Sequence, residues 1–204
     1  MNNIFLTGPI QIGKSTIIRK ISDQLQSYRI GGFFTESIYE KYQIIGYQIR
    51  AISGMRRPPP ASSESTGDCV FPAVTERTPI SNQSMVFARE GAQGVYQVGR
   101  FGIFPEAFEK IGARALARAL ETSQLIIMDE IGTMEQGAPK FKAQILRCLD
   151  SKIIVLGVIK QKPDGFLDAL RSRTDLVLYN VDESNRNNLP SVLLKKISKY
   201  FSKR

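Results

Sequence analysis

The chain has 204 residues with a formal net charge of +9; 42% of residues are hydrophobic and 23% charged, which suits one α/β domain able to bury a core. It contains no histidine and two cysteines, so His-based acid/base chemistry, His-ligated metals, a zinc site and a disulfide framework are all poor readings. No apolar run approaches the length that spans a membrane, and the N-terminus lacks a secretory pattern, so a cytoplasmic protein with reduced thiols is expected, a monomer rather than an oligomer, with no membrane partner.

Residues 3–7 form a short apolar strand ending at Gly8, and Ile17, Ile18, Ile21 and Leu25 then fall at helical spacing. Two β-rich runs, 32–39 and 43–53, joined by Glu40-Lys41-Tyr42, predict an antiparallel hairpin. From Gly54 the composition shifts to arginine, three consecutive prolines and a Ser/Thr/Glu cluster. The reading there is a Pro-rich loop or insertion over about 55–94, with strand pattern resuming at 95–100. Phe108, Ile111, Ala115, Leu116, Ala119 and Leu120 mark a helix, and 125–128 a buried strand. A helix near 140–149, a buried strand at 153–159, a short helix at 165–171, a strand at 176–181 and a final helix carrying Leu189, Val192, Leu193 and Ile197 complete the order. This alternation predicts a mostly parallel sheet covered on both faces, plus the antiparallel β-hairpin, in a single domain over residues 1–204.

Gly8-Pro9-Ile10-Gln11-Ile12-Gly13-Lys14-Ser15-Thr16 fits G-x-x-x-x-G-K-[ST] and sits between a predicted strand and a predicted helix, the context a P-loop requires. Glycines let backbone N–H groups converge on a phosphate, and the helix adds its free amides and positive end. In this arrangement Lys14 reaches the β- and γ-phosphates and Ser15 ligates Mg²⁺. Residues 125–130 are an apolar strand ending in Asp129-Glu130, the pattern of a strand delivering a carboxylate to magnesium, directly or through water. Glu130, the next residue, is the candidate to orient or deprotonate an attacking water. Without the P-loop, two acids after a strand are common and would carry no meaning.

Together these features predict the three-layer α/β sandwich of the P-loop NTPases. In order through the chain, Phe5-Leu6-Thr7-Gly8-Pro9, Gly13-Lys14-Ser15-Thr16, Gly32-Phe33-Phe34-Thr35-Glu36, Gly46-Tyr47, Val98-Gly99-Arg100, Phe108-Glu109, Met128 to Glu135, Arg171-Ser172-Arg173, Asn180-Val181 and Asn185-Arg186-Asn187 resemble the small P-loop nucleoside-triphosphatases known from thermophiles and, in animals, as cancer-related nucleoside triphosphatase. That resemblance implies Mg²⁺-dependent hydrolysis of ATP, GTP or other nucleoside triphosphates to diphosphate and phosphate, with loose base preference. The chain departs from the family at Ile10-Gln11, where Pro-Gly is usual, at Tyr39, at Gln136-Gly137 and in its longer Pro-rich insertion.

An added positive charge assists attack on a γ-phosphate. Arg173 is the candidate taken as catalytic, with Arg171 and Arg100 as alternatives, each equally readable as a surface arginine. Asn185 and Arg186 follow the last predicted strand and are candidates for base contact, though an asparagine there also suits capping of the final helix. Two other functions remain open: a nucleotide or small-metabolite kinase, in which Arg56-Arg57 closes over an acceptor, and a non-catalytic nucleotide switch whose basic C-terminus binds RNA. The RNA reading ranks last, because no aromatics interleave with the basic run.

Overall fold

The computed structural model describes residues 2–25, 27–52 and 83–202. Among the described residues nine strands form one sheet: β1 (Asn3–Thr7), β2 (Ile30–Glu40), β3 (Gln43–Ile52), β4 (Ser84–Glu90), β5 (Tyr96–Val98), β6 (Phe101–Ile103), β7 (Leu125–Ile131), β8 (Ile154–Ile159) and β9 (Leu176–Asn180). The spatial order is β5-β6-β4-β3-β2-β7-β8-β1-β9. From β2 to β9 the pairings are parallel, and from β2 outward to β5 they are antiparallel. The hairpin predicted at 32–53 is therefore the start of a larger antiparallel half.

The helices α1 (Lys14–Gln24), α2 (Ala113–Thr122), α3 (Pro139–Leu149), α4 (Gly165–Arg171) and α5 (Leu189–Phe201) cover the sheet, and a π-helical turn at Phe108–Gly112 leads into α2. Alternation along the strands divides the core into two layers. Ile4 and Leu6 of β1 face α1 and α5 with Ile17, Ile18, Ile21, Leu193 and Ile197. Phe5 and Phe33 face the other way, with Leu116, Phe141, Ile145 and Leu167 of α2, α3 and α4. On that side Phe33, Phe141, Phe108 and Phe87 make a continuous aromatic chain with ring centroids 4.5–5.3 Å apart, which ties the parallel and antiparallel halves together.

The stretch 55–94, read as loop from sequence, contains β4. Its residues pair with β3 on one side and β6 on the other, and Phe87 and Ala88 are buried. The Pro-rich run with Arg56 and Arg57, and Cys69, lie outside the described residues. Among the described residues no helix is long and apolar enough to cross a membrane.

Candidate active site

The parallel strands β1, β7, β8 and β9 end along one edge, where ligands of open α/β sheets bind. The P-loop follows β1 there. Gly8 has φ +145°, and a Cβ on it would stand 2.5 Å from the Val181 carbonyl oxygen, so a side chain at the loop's entry would collide with the chain leaving β9. Gly13, at φ +104°, turns the chain into α1. The first turn of α1 carries no acidic residue, leaving its positive end available to an external anion. Gln11 adopts φ 63°, a left-handed conformation that a glycine takes without strain.

Lys14 is nearly buried, and its Nζ donates to the carbonyls of Gly8 at 2.9 Å and Pro9 at 2.7 Å. Burial lowers its proton affinity, an effect opposed by Glu130 and Asp129 and reinforced by Lys160. The Ser15 hydroxyl donates to Asp129 Oδ1 at 2.9 Å. Asp129 is fully buried, its Oδ2 has no hydrogen-bond partner among the described residues, and burial raises its pKa to about 7. A buried carboxylate with one oxygen bonded to a hydroxyl and the other unpartnered is a hard-oxygen donor set short of positive charge. Ser15 and Asp129 thus fit Mg²⁺, which takes few protein oxygens and completes its shell with water and phosphate.

The pairing of β7 with β8 is interrupted between Met128 and Ile131. Asp129 stays in register with Phe34 of β2, while Glu130 faces a cavity of about 460 Å³. The same cavity is lined by Gln11, Gly13, Lys14, Ser15 and Thr16 of the P-loop and helix start, and by Lys160 beyond β8. It continues over the antiparallel half along Thr35, Ser37, Tyr47 and Phe87. On the opposite face of β2, Glu36 binds Arg50 at 2.7 Å and Arg19 at 3.1 Å, and Arg19 also lies over the Phe34 ring, pinning α1 to the hairpin.

The structure brings together the P-loop with Lys14, Ser15, Asp129 and Glu130, but not the candidate arginines or Asn185. Arg173 binds Asp150 and Asp175, and Asp175 accepts from Asn3 at the start of β1, the opposite edge of the sheet from the P-loop. Arg173 is a structural anchor there, not a phosphate ligand. Arg100 binds the Ile44 carbonyl and Glu90 in the antiparallel half. Arg171 binds Asp168 and the carbonyls of Lys160 and Lys162. Asn185 does not cap α5, whose N-cap position is Asn188; its amide donates to the Asn180 carbonyl and its oxygen accepts from the Asp182 N–H, closing a turn. Arg186 is exposed, and neither Asn185 nor Arg186 lines the cavity with Lys14.

Two cavity residues escaped the sequence reading as individuals. Glu135 is buried; its Oε1 accepts from the Gly132 N–H at 2.9 Å, its Oε2 has no partner among the described residues, and burial raises its pKa to about 7. Lys160 directly follows a wholly buried strand, at the same edge as the P-loop and Glu130. That position was a readable signal.

The chain matches the NTPase family over residues 3–69 and 76–194. It is similar to the nucleoside-triphosphatase THEP1 of Thermotoga maritima, at 31% identity over 191 residues, 94% of this chain and 92% of that protein. It is also similar to the cancer-related nucleoside-triphosphatase of Homo sapiens, at 28% identity over 92% of each. Among solved structures, THEP1 from the hyperthermophile Aquifex aeolicus shares the fold, with a TM-score of 0.73 at 22% identity over 97% of this chain and 99% of that one. On the near-complete match and the P-loop geometry together, the chain belongs to the NTPase family.

Proposed function

We propose that this protein hydrolyses nucleoside triphosphates to diphosphate and phosphate with Mg²⁺. The observation that carries the reading is one cavity holding Lys14, Ser15 and Glu130, with Asp129 hydrogen bonded to Ser15. Membership of a family whose relatives are named nucleoside-triphosphatases supports it.

The P-loop amides and the start of α1 hold the β- and γ-phosphates, and Lys14 exchanges its loop carbonyls for phosphate oxygens. Ser15 and Asp129 would hold Mg²⁺, which would supply positive charge to the phosphates. Glu130 orients a water in line with the γ-phosphorus. Water oxygen bonds to phosphorus as the bond to the bridging oxygen breaks, that electron pair leaves with the diphosphate, and the water's proton passes to Glu130. Cytoplasmic residence and a monomeric state complete the proposal.

A kinase is the second reading, and one observation favours it. The cavity runs past Glu130 to Thr35, Ser37, Tyr47 and Phe87, which leaves room for an acceptor beside the γ-phosphate. Phosphate release from ATP, GTP, CTP and UTP, with and without Mg²⁺, separates the two. Steady release that needs Mg²⁺ but no acceptor supports hydrolysis; release that appears with none of the four contradicts it.

A further inference from the structure

Among the described residues, two cations line the cavity, Lys14 and Lys160. Hydrolysis draws on positive charge beyond the P-loop lysine, and the arginines that sequence nominates are engaged elsewhere. Lys160 is placed differently. Its N–H donates to the Ile131 carbonyl at 3.0 Å, which fixes it to the end of β7 beside Glu130. Its own carbonyl accepts from the Arg171 guanidinium, as does that of Lys162 at 2.9 Å. Side chains on a helix tilt toward its N-terminus, so Arg171 reaches back from the last turn of α4 to clamp the segment 160–162.

The Lys160 side chain crosses Gly132, where a Cβ would lie 3.4 Å from Lys160 Cδ. Its Nζ ends 3.4 Å from Glu130 Oε1. Its charge reaches both Lys14 and Glu135. Two ammonium groups thus share one cavity with Glu130, an arrangement that an added anion relieves.

We propose that Lys160 is the second cation for the γ-phosphate, meeting it on the Glu130 side, and that Arg171 is the positioning residue that presents it. The assignment rests on the NTP-binding part of the proposed function, not on hydrolysis itself. Lys160 neutralises charge on the γ-oxygens and pairs with Glu130 beside the attacking water. Diphosphates lack the group that Lys160 meets, so its contribution separates triphosphate from diphosphate.

The test is a pair of measurements on the full chain: equilibrium affinities for ATP and ADP with Mg²⁺, and single-turnover phosphate release. Lys160→Ala loses the wild-type preference for ATP over ADP by about tenfold or more, and release slows by roughly 10²-fold, as when one transition-state donor is removed. Lys160→Arg retains most of both. Arg171→Ala falls between, with wild-type ADP affinity. Lys160→Met keeps the aliphatic stem, and unchanged ADP affinity in any variant reports an intact P-loop. A purely structural role leaves the ATP/ADP ratio unmoved, and that result in folded Lys160→Ala or Lys160→Met overturns the assignment. Loss of the ratio in a protein whose wild type releases no phosphate overturns the hydrolytic reading and upholds the Lys160 assignment.

Discussion

The Ser15 hydroxyl donates to the buried Asp129 carboxylate at 2.9 Å, joining the first turn of α1 to the end of β7 across the intervening strand β8. The two residues are 114 apart in sequence, and this bond is the geometric link between the phosphate loop and the acidic strand end. It also leaves Asp129 Oδ2 without a partner among the described residues, where a cation would satisfy it.

Ser15→Ala removes that hydroxyl and leaves both carboxylate oxygens unbonded. The Mg²⁺ concentration for half-maximal phosphate release rises by about tenfold, the lower end of what loss of a ligand-supporting group costs. A Mg²⁺ titration of release at saturating ATP measures it.

Arg173 separates a structural from a catalytic arginine. Its guanidinium bridges Asp150 and Asp175 and anchors the end of α4 to the base of β1 through Asn3. Both acids are partly solvated, so Arg173→Ala lowers unfolding free energy by about 1 kcal/mol and leaves kcat unchanged. Denaturant unfolding alongside phosphate release checks both halves.

Glu135 makes folding stability depend on pH. Burial raises its pKa to about 7 from an ordinary carboxylate value, so the folded state holds the proton more tightly than the unfolded chain. This contribution is fully present below about pH 4. It declines as pH rises, is lost by the time pH passes about 7, and amounts to roughly 3 kcal/mol at most. Glu135→Gln keeps an oxygen for the Gly132 N–H and does not titrate. Unfolding free energy measured from pH 5 to 8 falls less steeply in the variant than in the wild type.

Gln11 holds a left-handed conformation that costs a residue with a Cβ about 1 kcal/mol. Glycine relieves that strain at some cost in unfolded-state entropy, and a β-branched residue deepens it. Thermal unfolding is expected to rank Gln11→Gly at or above wild type and Gln11→Val below it.

The phosphate loop was legible because its chemistry is local: glycines, Lys14 and Ser15 lie within nine residues, between a strand and a helix. Asp129-Glu130 was legible for the same reason, at the end of an apolar run. Arg171 and Arg173 were not, because two residues at the end of a short helix point to opposite edges of the sheet, one back to Lys160 and the other to Asp150. Nothing in their spacing reports that divergence. β4 was hidden because what makes it a strand is its pairing with β3 and β6, which its own residue pattern does not report. Asn185 looked like a cap or a base contact because asparagine suits both, whereas its amide closes the turn after β9.

The central claim is that Glu130 converts a phosphate-binding loop into a hydrolytic site, and Glu130→Gln tests it most directly. The account predicts that Mg²⁺-dependent phosphate release falls by about 10²-fold or more while ATP still binds through Lys14 and the loop amides. Release at the wild-type rate from Glu130→Gln would contradict it.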